Sequence, residues 1–102
     1  MHLLALVNVR YFGILRETAK RREEKIEIDD AASALDLIEL ISTKHGQKFR
    51  NFVFDNKGKP NEGLAFAVNG FSLERSKLAK TKCKDISEFV ILPPISGGLL
   101  SN

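Results

Sequence analysis

Ser33-Ala34-Leu35-Asp36-Leu37-Ile38-Glu39-Leu40-Ile41-Ser42-Thr43-Lys44-His45-Gly46 is the stretch on which the fold turns. Ser33 stands where its hydroxyl caps the first free amides of a helix. Asp36, three residues on, supplies the acid of a capping box. Ala34, Leu37, Ile38 and Ile41 recur at i, i+3, i+4 and i+7, an apolar stripe along one face. Lys44 and His45 complement the negative end of the helix dipole, and Gly46 reads as a left-handed stop. The pattern predicts an amphipathic helix over 34–45 with one face for a sheet to cover.

On the N-terminal side, Leu3, Ala5, Val7, Val9 and Tyr11 fall on one face of an alternating run, with Asn8 and Arg10 on the other. That is the pattern of a half-buried strand. A short helical or turn segment over 13–18 and the basic Lys20-Arg21-Arg22 lead to a second alternation, Lys25-Ile26-Glu27-Ile28, so residues 1–28 suggest a hairpin with an elaborated connection.

On the C-terminal side, Phe49, Phe52 and Phe54 mark a segment packed over a core edge, and 56–63 reads as a plain loop. Leu64 to Val68 is a strand, Asn69-Gly70 a tight hairpin turn, and Phe71 to Leu73 the return strand. A basic loop over 77–84 precedes Phe89-Val90-Ile91-Leu92, an apolar run suited to a strand covered on both faces. Pro93-Pro94 ends it, because proline offers no ladder donor. The order ββαβββ is α+β, a β-grasp arrangement in which one main helix crosses a mixed sheet and the first and last strands lie side by side. Residues 1–94 form that domain, and 95–102 form a flexible tail.

Composition bounds the function. The chain has 102 residues, enough for one core, and a 43% hydrophobic and 28% charged content fits a globular domain. No run approaches the roughly 18 apolar residues of a membrane span, and the N-terminus lacks signal-peptide features, so a cytoplasmic protein is expected. A single cysteine, Cys83, excludes an internal disulfide, and His2 and His45 have no ligand-like spacing, so no bound metal is expected. The net charge of +3 is too small, and its aromatic residues too poorly interleaved with basic ones, for nucleic-acid binding.

The tail carries the functional clue. Pro93 and Pro94 stiffen the exit from the last strand, Ile95 and Ser96 follow, and Gly97-Gly98 permit close backbone approaches closed to other residues. Fully extended, the chain from Pro94 to Gly98 reaches about 13 Å at roughly 3.3 Å per residue, enough to thread a carboxyl group into another protein's active site.

Pro93-Pro94-Ile95-Ser96-Gly97-Gly98 resembles the ending of the small subunits of molybdopterin synthase, a ubiquitin-like sulfur-carrier family that includes relatives of the thiamin sulfur carriers. Three further blocks are similar to that family in the same order: Tyr11-Phe12-Gly13-Ile14-Leu15-Arg16-Glu17, Ser33-Ala34-Leu35-Asp36-Leu37-Ile38 and Ala67-Val68-Asn69-Gly70. The resemblance spans about residues 4 to 98. It implies that a ubiquitin-activating-type enzyme adenylates the Gly98 carboxylate with MgATP and that a sulfur donor converts the adenylate to a thiocarboxylate. It also implies that Pro93, Pro94, Ile95 and Ser96 guide the tail into the large synthase subunit. The carrier itself contributes no cofactor, acid, base or metal. One departure matters: family members end at the second glycine, whereas here Leu99-Leu100-Ser101-Asn102 follow. Gly98 as encoded is therefore an amide, and the carrier reading requires a processing peptidase.

Other readings compete. The same activated Gly98 could be joined to lysines on other proteins, making the chain a modifier. Thiamin sulfur carriers share the chemistry but are shorter and lack the proline-proline-x-serine approach. A non-catalytic β-grasp binding module would explain the extension. Cys83 lies among Lys80, Lys82 and Lys84, which favour thiolate, yet an inert basic loop is the simpler account. Tyr11 and Phe12 read as core, Arg16 and Glu17 as a solvated pair, and His45 as a surface or helix-end residue.

Overall fold

The computed structural model describes residues 3–94. They form β1 (Leu4–Tyr11), α1 (Gly13–Ala19), β2 (Glu23–Asp29), α2 (Ala34–His45), α3 (Gln47–Val53), β3 (Ala65–Val68), β4 (Phe71–Leu73) and β5 (Glu88–Leu92). Two 3-10 helices, Arg75–Lys80 and Cys83–Asp85, lie between β4 and β5.

The sheet order is β2-β1-β5-β3-β4. β1 and β5 pair in parallel, with Val9 opposite Phe89 and Tyr11 opposite Ile91. The β1–β2, β3–β4 and β3–β5 pairs are antiparallel. The expected α+β sheet with its first and last strands at the centre is therefore present.

Period-two alternation decides which face is buried. Val7, Val9 and Tyr11 of β1, Phe66 of β3, and Phe89 and Ile91 of β5 turn inward onto Ala34, Leu37, Ile38 and Ile41 of α2. Each of the larger side chains contributes about 1.5 to 3 kcal/mol on burial. The β5 run is covered on one face only: Val90 is half-buried and Leu92 exposed. An apolar run in a mixed sheet does not require a second covering layer.

α2 begins as its sequence dictates. The Ser33 hydroxyl accepts from the Asp36 amide at 3.1 Å, and the Asp36 carboxylate accepts from the Ser33 amide at 3.0 Å. Gly46 does more than stop it. With φ 97° and ψ −179° it redirects the chain straight into α3, whose Phe49 and Val53 are fully buried. The Phe49–Phe54 segment is thus a helix ending in an extended residue, not an irregular stretch. The 77–84 loop is likewise organised as 3-10 turns, anchored in the core by Leu78 and Cys83.

Asn69 (φ 52°) and Gly70 (φ 89°) occupy the left-handed positions of a tight hairpin turn. The Asn69 side chain does further work. Its Oδ1 accepts from the Ser87 and Glu88 amides at 2.8 and 2.9 Å, and its Nδ2 donates to the Asp85 carbonyl at 3.0 Å. The turn therefore fixes the start of β5, the strand that ends at the tail.

Candidate functional site

β5 runs between β1 and β3, so its far end is held on both sides, with Leu92 opposite Ala65 and Ile91 opposite Tyr11. Pro93 and Pro94 leave the ladder there. Pro93 passes over Gly13 at the start of α1: an ideal Cβ on Gly13 would lie 2.9 Å from the Pro93 Cγ. Pro94 passes over Gly63 in the loop before β3, where an ideal Cβ would lie 2.7 Å from the Pro94 Cβ.

An apolar groove of about 350 Å³ opens beside this exit, lined by Ile14, Leu15, Phe52, Leu64, Pro93 and Pro94. On the uncovered face of the sheet, the Phe12 ring carries the Arg10 and Arg16 guanidinium groups at 5.5 and 5.2 Å from its centroid. Arg10 also lies 3.9 Å from Glu23 and 3.8 Å from Glu88. Arg16 Nε donates to the Tyr11 carbonyl at 3.2 Å rather than pairing with Glu17 as expected. Phe12 is half-buried, whereas Tyr11 is fully in the core. The surroundings of the exit are thus apolar with a cationic margin.

Of the residues expected to guide the tail, Pro93 and Pro94 are described. Pro93 is half-buried against the domain and Pro94 is exposed. Ile95, Ser96, Gly97 and Gly98 lie outside the described residues, as does His2. Sequence reading missed Gly13 and Gly63; nothing local distinguishes them from other loop glycines.

A second constellation was also missed. Glu24 on β2 is buried and carries four partners. The Tyr11 hydroxyl donates to its Oε2 at 2.5 Å, His45 Nε2 contacts the same oxygen, and Lys44 and Arg21 reach Oε1 at 2.9 and 3.2 Å. Burial alone would raise the Glu24 carboxyl. The hydrogen bonds from Tyr11, His45 and Lys44 outweigh it and hold the group down at about 2. Burial, and then Glu24, push the Tyr11 hydroxyl far above its ordinary range. His45 is no surface residue: its ring packs edge-on to Tyr11 at 5.7 Å and lies 5.3 Å from Phe49.

Cys83 is fully buried, and its Sγ donates to the Ser33 carbonyl at 3.5 Å. Burial, then the Asp36 charge, push the thiol up to about 11, so the neighbouring lysines do not activate it. Among the described residues no cluster of three metal-ligating side chains occurs, and no helix is long and apolar enough to cross a membrane.

A family model described as "ThiS family" matches residues 9–98. No curated protein matches the sequence significantly. Among solved structures, the chain is 32% identical to a Pyrococcus furiosus protein provisionally named molybdopterin converting factor, subunit 1 (TM-score 0.68, 88% of this chain and 98% of that one). It is 26% identical to small archaeal modifier protein 1 of Methanosarcina acetivorans (TM-score 0.75, 94% and 99%). It also superposes on small archaeal modifier protein 1 of Haloferax volcanii at 22% identity (TM-score 0.79, 91% and 99%), a likeness of fold.

Proposed function

The chain belongs to the ThiS family, and from that premise we propose that it is a sulfur carrier for molybdopterin synthesis, reacting through the carboxyl group of Gly98. The observation that carries this reading is where the family match stops. It runs to Gly98 and leaves Leu99-Leu100-Ser101-Asn102 outside. The match ends on the residue whose carboxylate the chemistry needs.

The sequence of steps starts with hydrolysis of the Gly98–Leu99 amide by a processing peptidase. The freed carboxylate oxygen attacks the α-phosphorus of MgATP on a ubiquitin-activating-type enzyme, and pyrophosphate leaves. A sulfur nucleophile at the oxidation level of sulfide then displaces AMP from the acyl carbon, leaving a thiocarboxylate. Docked on the large synthase subunit, the tail delivers that sulfur to the pterin precursor, and the carboxylate is regenerated by water. The domain's part is positional: a central strand pinned on both sides, a stiff exit, and an apolar and cationic surface around it. The identity to the Pyrococcus furiosus protein supports the molybdopterin assignment.

A second reading has its own support. The likeness to the Methanosarcina acetivorans modifier favours transfer of the same adenylated glycine to lysine amines on other proteins. Intact mass of the protein isolated from its native cells separates the readings. A species ending at Gly98 with one oxygen exchanged for sulfur is the expected result. Isopeptide conjugates without a thiocarboxylate species would favour the modifier, and a mass that always retains Leu99 to Asn102 would exclude both.

A further inference from the structure

Of the five glycines at described positions 13, 46, 58, 63 and 70, three meet nothing: a Cβ on Gly46, Gly58 or Gly70 would have no heavy atom within 4 Å. Each of those three has a positive φ, and the backbone explains its identity. Gly13 and Gly63 differ in what they meet, although the φ of 56° at Gly13 by itself already calls for glycine. Both would drive a Cβ to less than 3.0 Å from one of the two prolines that launch the tail. Gly63 is the more informative, because its φ lies outside the left-handed region and any residue could adopt its backbone. The close approach of Pro94 is what leaves no room there for a side chain.

The two contacts come from different directions in the fold. Gly13 opens α1, directly after β1, and Gly63 belongs to the loop that enters β3. β1 and β3 are the two strands that flank β5. The segment that leaves one flanking strand and the segment that enters the other thus each contribute one bare backbone position on which one proline lies, and each proline already has its φ fixed by its ring. A strand end held this way has little freedom to swing. That matters in proportion to the tail's length: a tilt of about 30° at Pro94 carries the end of a roughly 13 Å tail about 6.5 Å aside. A misplacement of about 1 Å at a reacting group already costs on the order of 100-fold in rate.

We infer that Gly13 and Gly63 are positioning residues for the tail: they seat Pro93 and Pro94 and thereby set the angle at which Ile95 to Gly98 leaves the domain. The inference rests on the reading that Gly98 is the reacting residue. It adds that aim is built into the free carrier rather than imposed only by the partner, which lowers the ordering cost of docking.

The test is a double-mutant cycle on the chain ending at Gly98, assayed by ATP–pyrophosphate exchange with the activating enzyme from the same cells. Gly63→Ala is expected to lower kcat about 10- to 100-fold with little change in KM for the carrier, because the sheet face is intact and only the aim is disturbed. Pro94→Gly removes both the fixed φ and the Cβ that would clash, and is expected to cost a few-fold. The double variant should be no worse than Pro94→Gly alone, since the added methyl then meets nothing. A wild-type kcat in Gly63→Ala, or a double variant showing the product of both losses, overturns the inference. Relaxation order of the Ile95 and Ser96 amides in the free chain decides it independently of any partner: greater order in wild type than in Gly63→Ala is expected, and equal order overturns it. If the wild-type chain is never adenylated, the proposed function fails while this second measurement still judges the seats.

Discussion

The tail exit and the Glu24 cluster are both closely specified by their contacts, and they are specified for opposite ends. Around Glu24 sit a tyrosine, a histidine, a lysine and an arginine, with a carboxyl group held far from its ordinary range. Such groups commonly mark active sites. Yet both carboxylate oxygens are taken by the protein itself, and Glu24 and Tyr11 are buried. At the exit, prolines lie on glycines beside a groove that no titratable side chain lines among the described residues, with the arginines on Phe12 at its margin. Under the proposed function, in which partners supply the acid–base and nucleophilic chemistry, the perturbed groups hold the fold and the unremarkable ones serve the tail.

The contrast is most sharply tested at the tail. Removing Gly98 from the processed chain shortens the reach by about 3.3 Å, and thiocarboxylate formation should fall more than about 1,000-fold, given the rate penalty of misplacement. The melting temperature should not move, because the described core is built from residues 7 to 91. A shortened chain that still acquires sulfur would show that the tail is not what positions the reaction.

Glu24 should behave in reverse. Its folded pKa of about 2 lies below the ordinary value of 4.5. Its ionised form therefore stabilises the fold fully above about pH 4.5, and that contribution is lost as pH falls toward 2. The shift corresponds to about 3 kcal/mol. Glu24→Gln keeps the shape but removes the charge that Lys44, Arg21, His45 and the Tyr11 hydroxyl surround. It should cost about 2 to 3 kcal/mol at pH 7 and flatten the stability curve between pH 5 and 2. Adenylation per folded molecule should be unchanged. Chemical denaturation across that pH range measures the first effect, and a loss of kcat in the folded variant would erase the distinction between the two regions.

Legibility in the sequence divides along a related line. Features whose partners are close in the chain were readable: the Ser33–Asp36 capping box, the α2 stripe, the Asn69-Gly70 turn and the alternation of β1. The central β1–β5 pair, distant in sequence, followed from element order and the apolar character of both strands, but side-chain contacts assembled from distant segments were not readable. His45 meets Glu24 and Tyr11 across three elements, and Gly13 and Gly63 meet the prolines only once β1, β3 and β5 are side by side. α3 lay in between. Phe49, Phe52 and Val53 do repeat at helical spacing, but Gly46 read as a terminator, and a glycine with φ 97° and extended ψ can also start a new helix at once. In the 77–84 loop the lysines dominated the reading, although Leu78 and Cys83 are the residues that anchor it.

Cys83 offers the smallest and most selective test, because its sequence context argues for reactivity and its structure against. Four lysines flank it in sequence, Lys77, Lys80, Lys82 and Lys84, but the sulfur points into the core and donates to the Ser33 carbonyl. With its thiol pushed up to about 11, only about one molecule in a thousand carries thiolate at pH 8. Alkylation by iodoacetamide should therefore be slow in the native protein and fast in denaturant, its native rate following local opening. Cys83→Ala should cost about 1 kcal/mol, the loss of one small buried group, and leave sulfur loading of Gly98 intact. Rapid native alkylation, or loss of loading on substitution, would mean that a second sulfur-handling position exists and that chemistry in this chain is not confined to its tail.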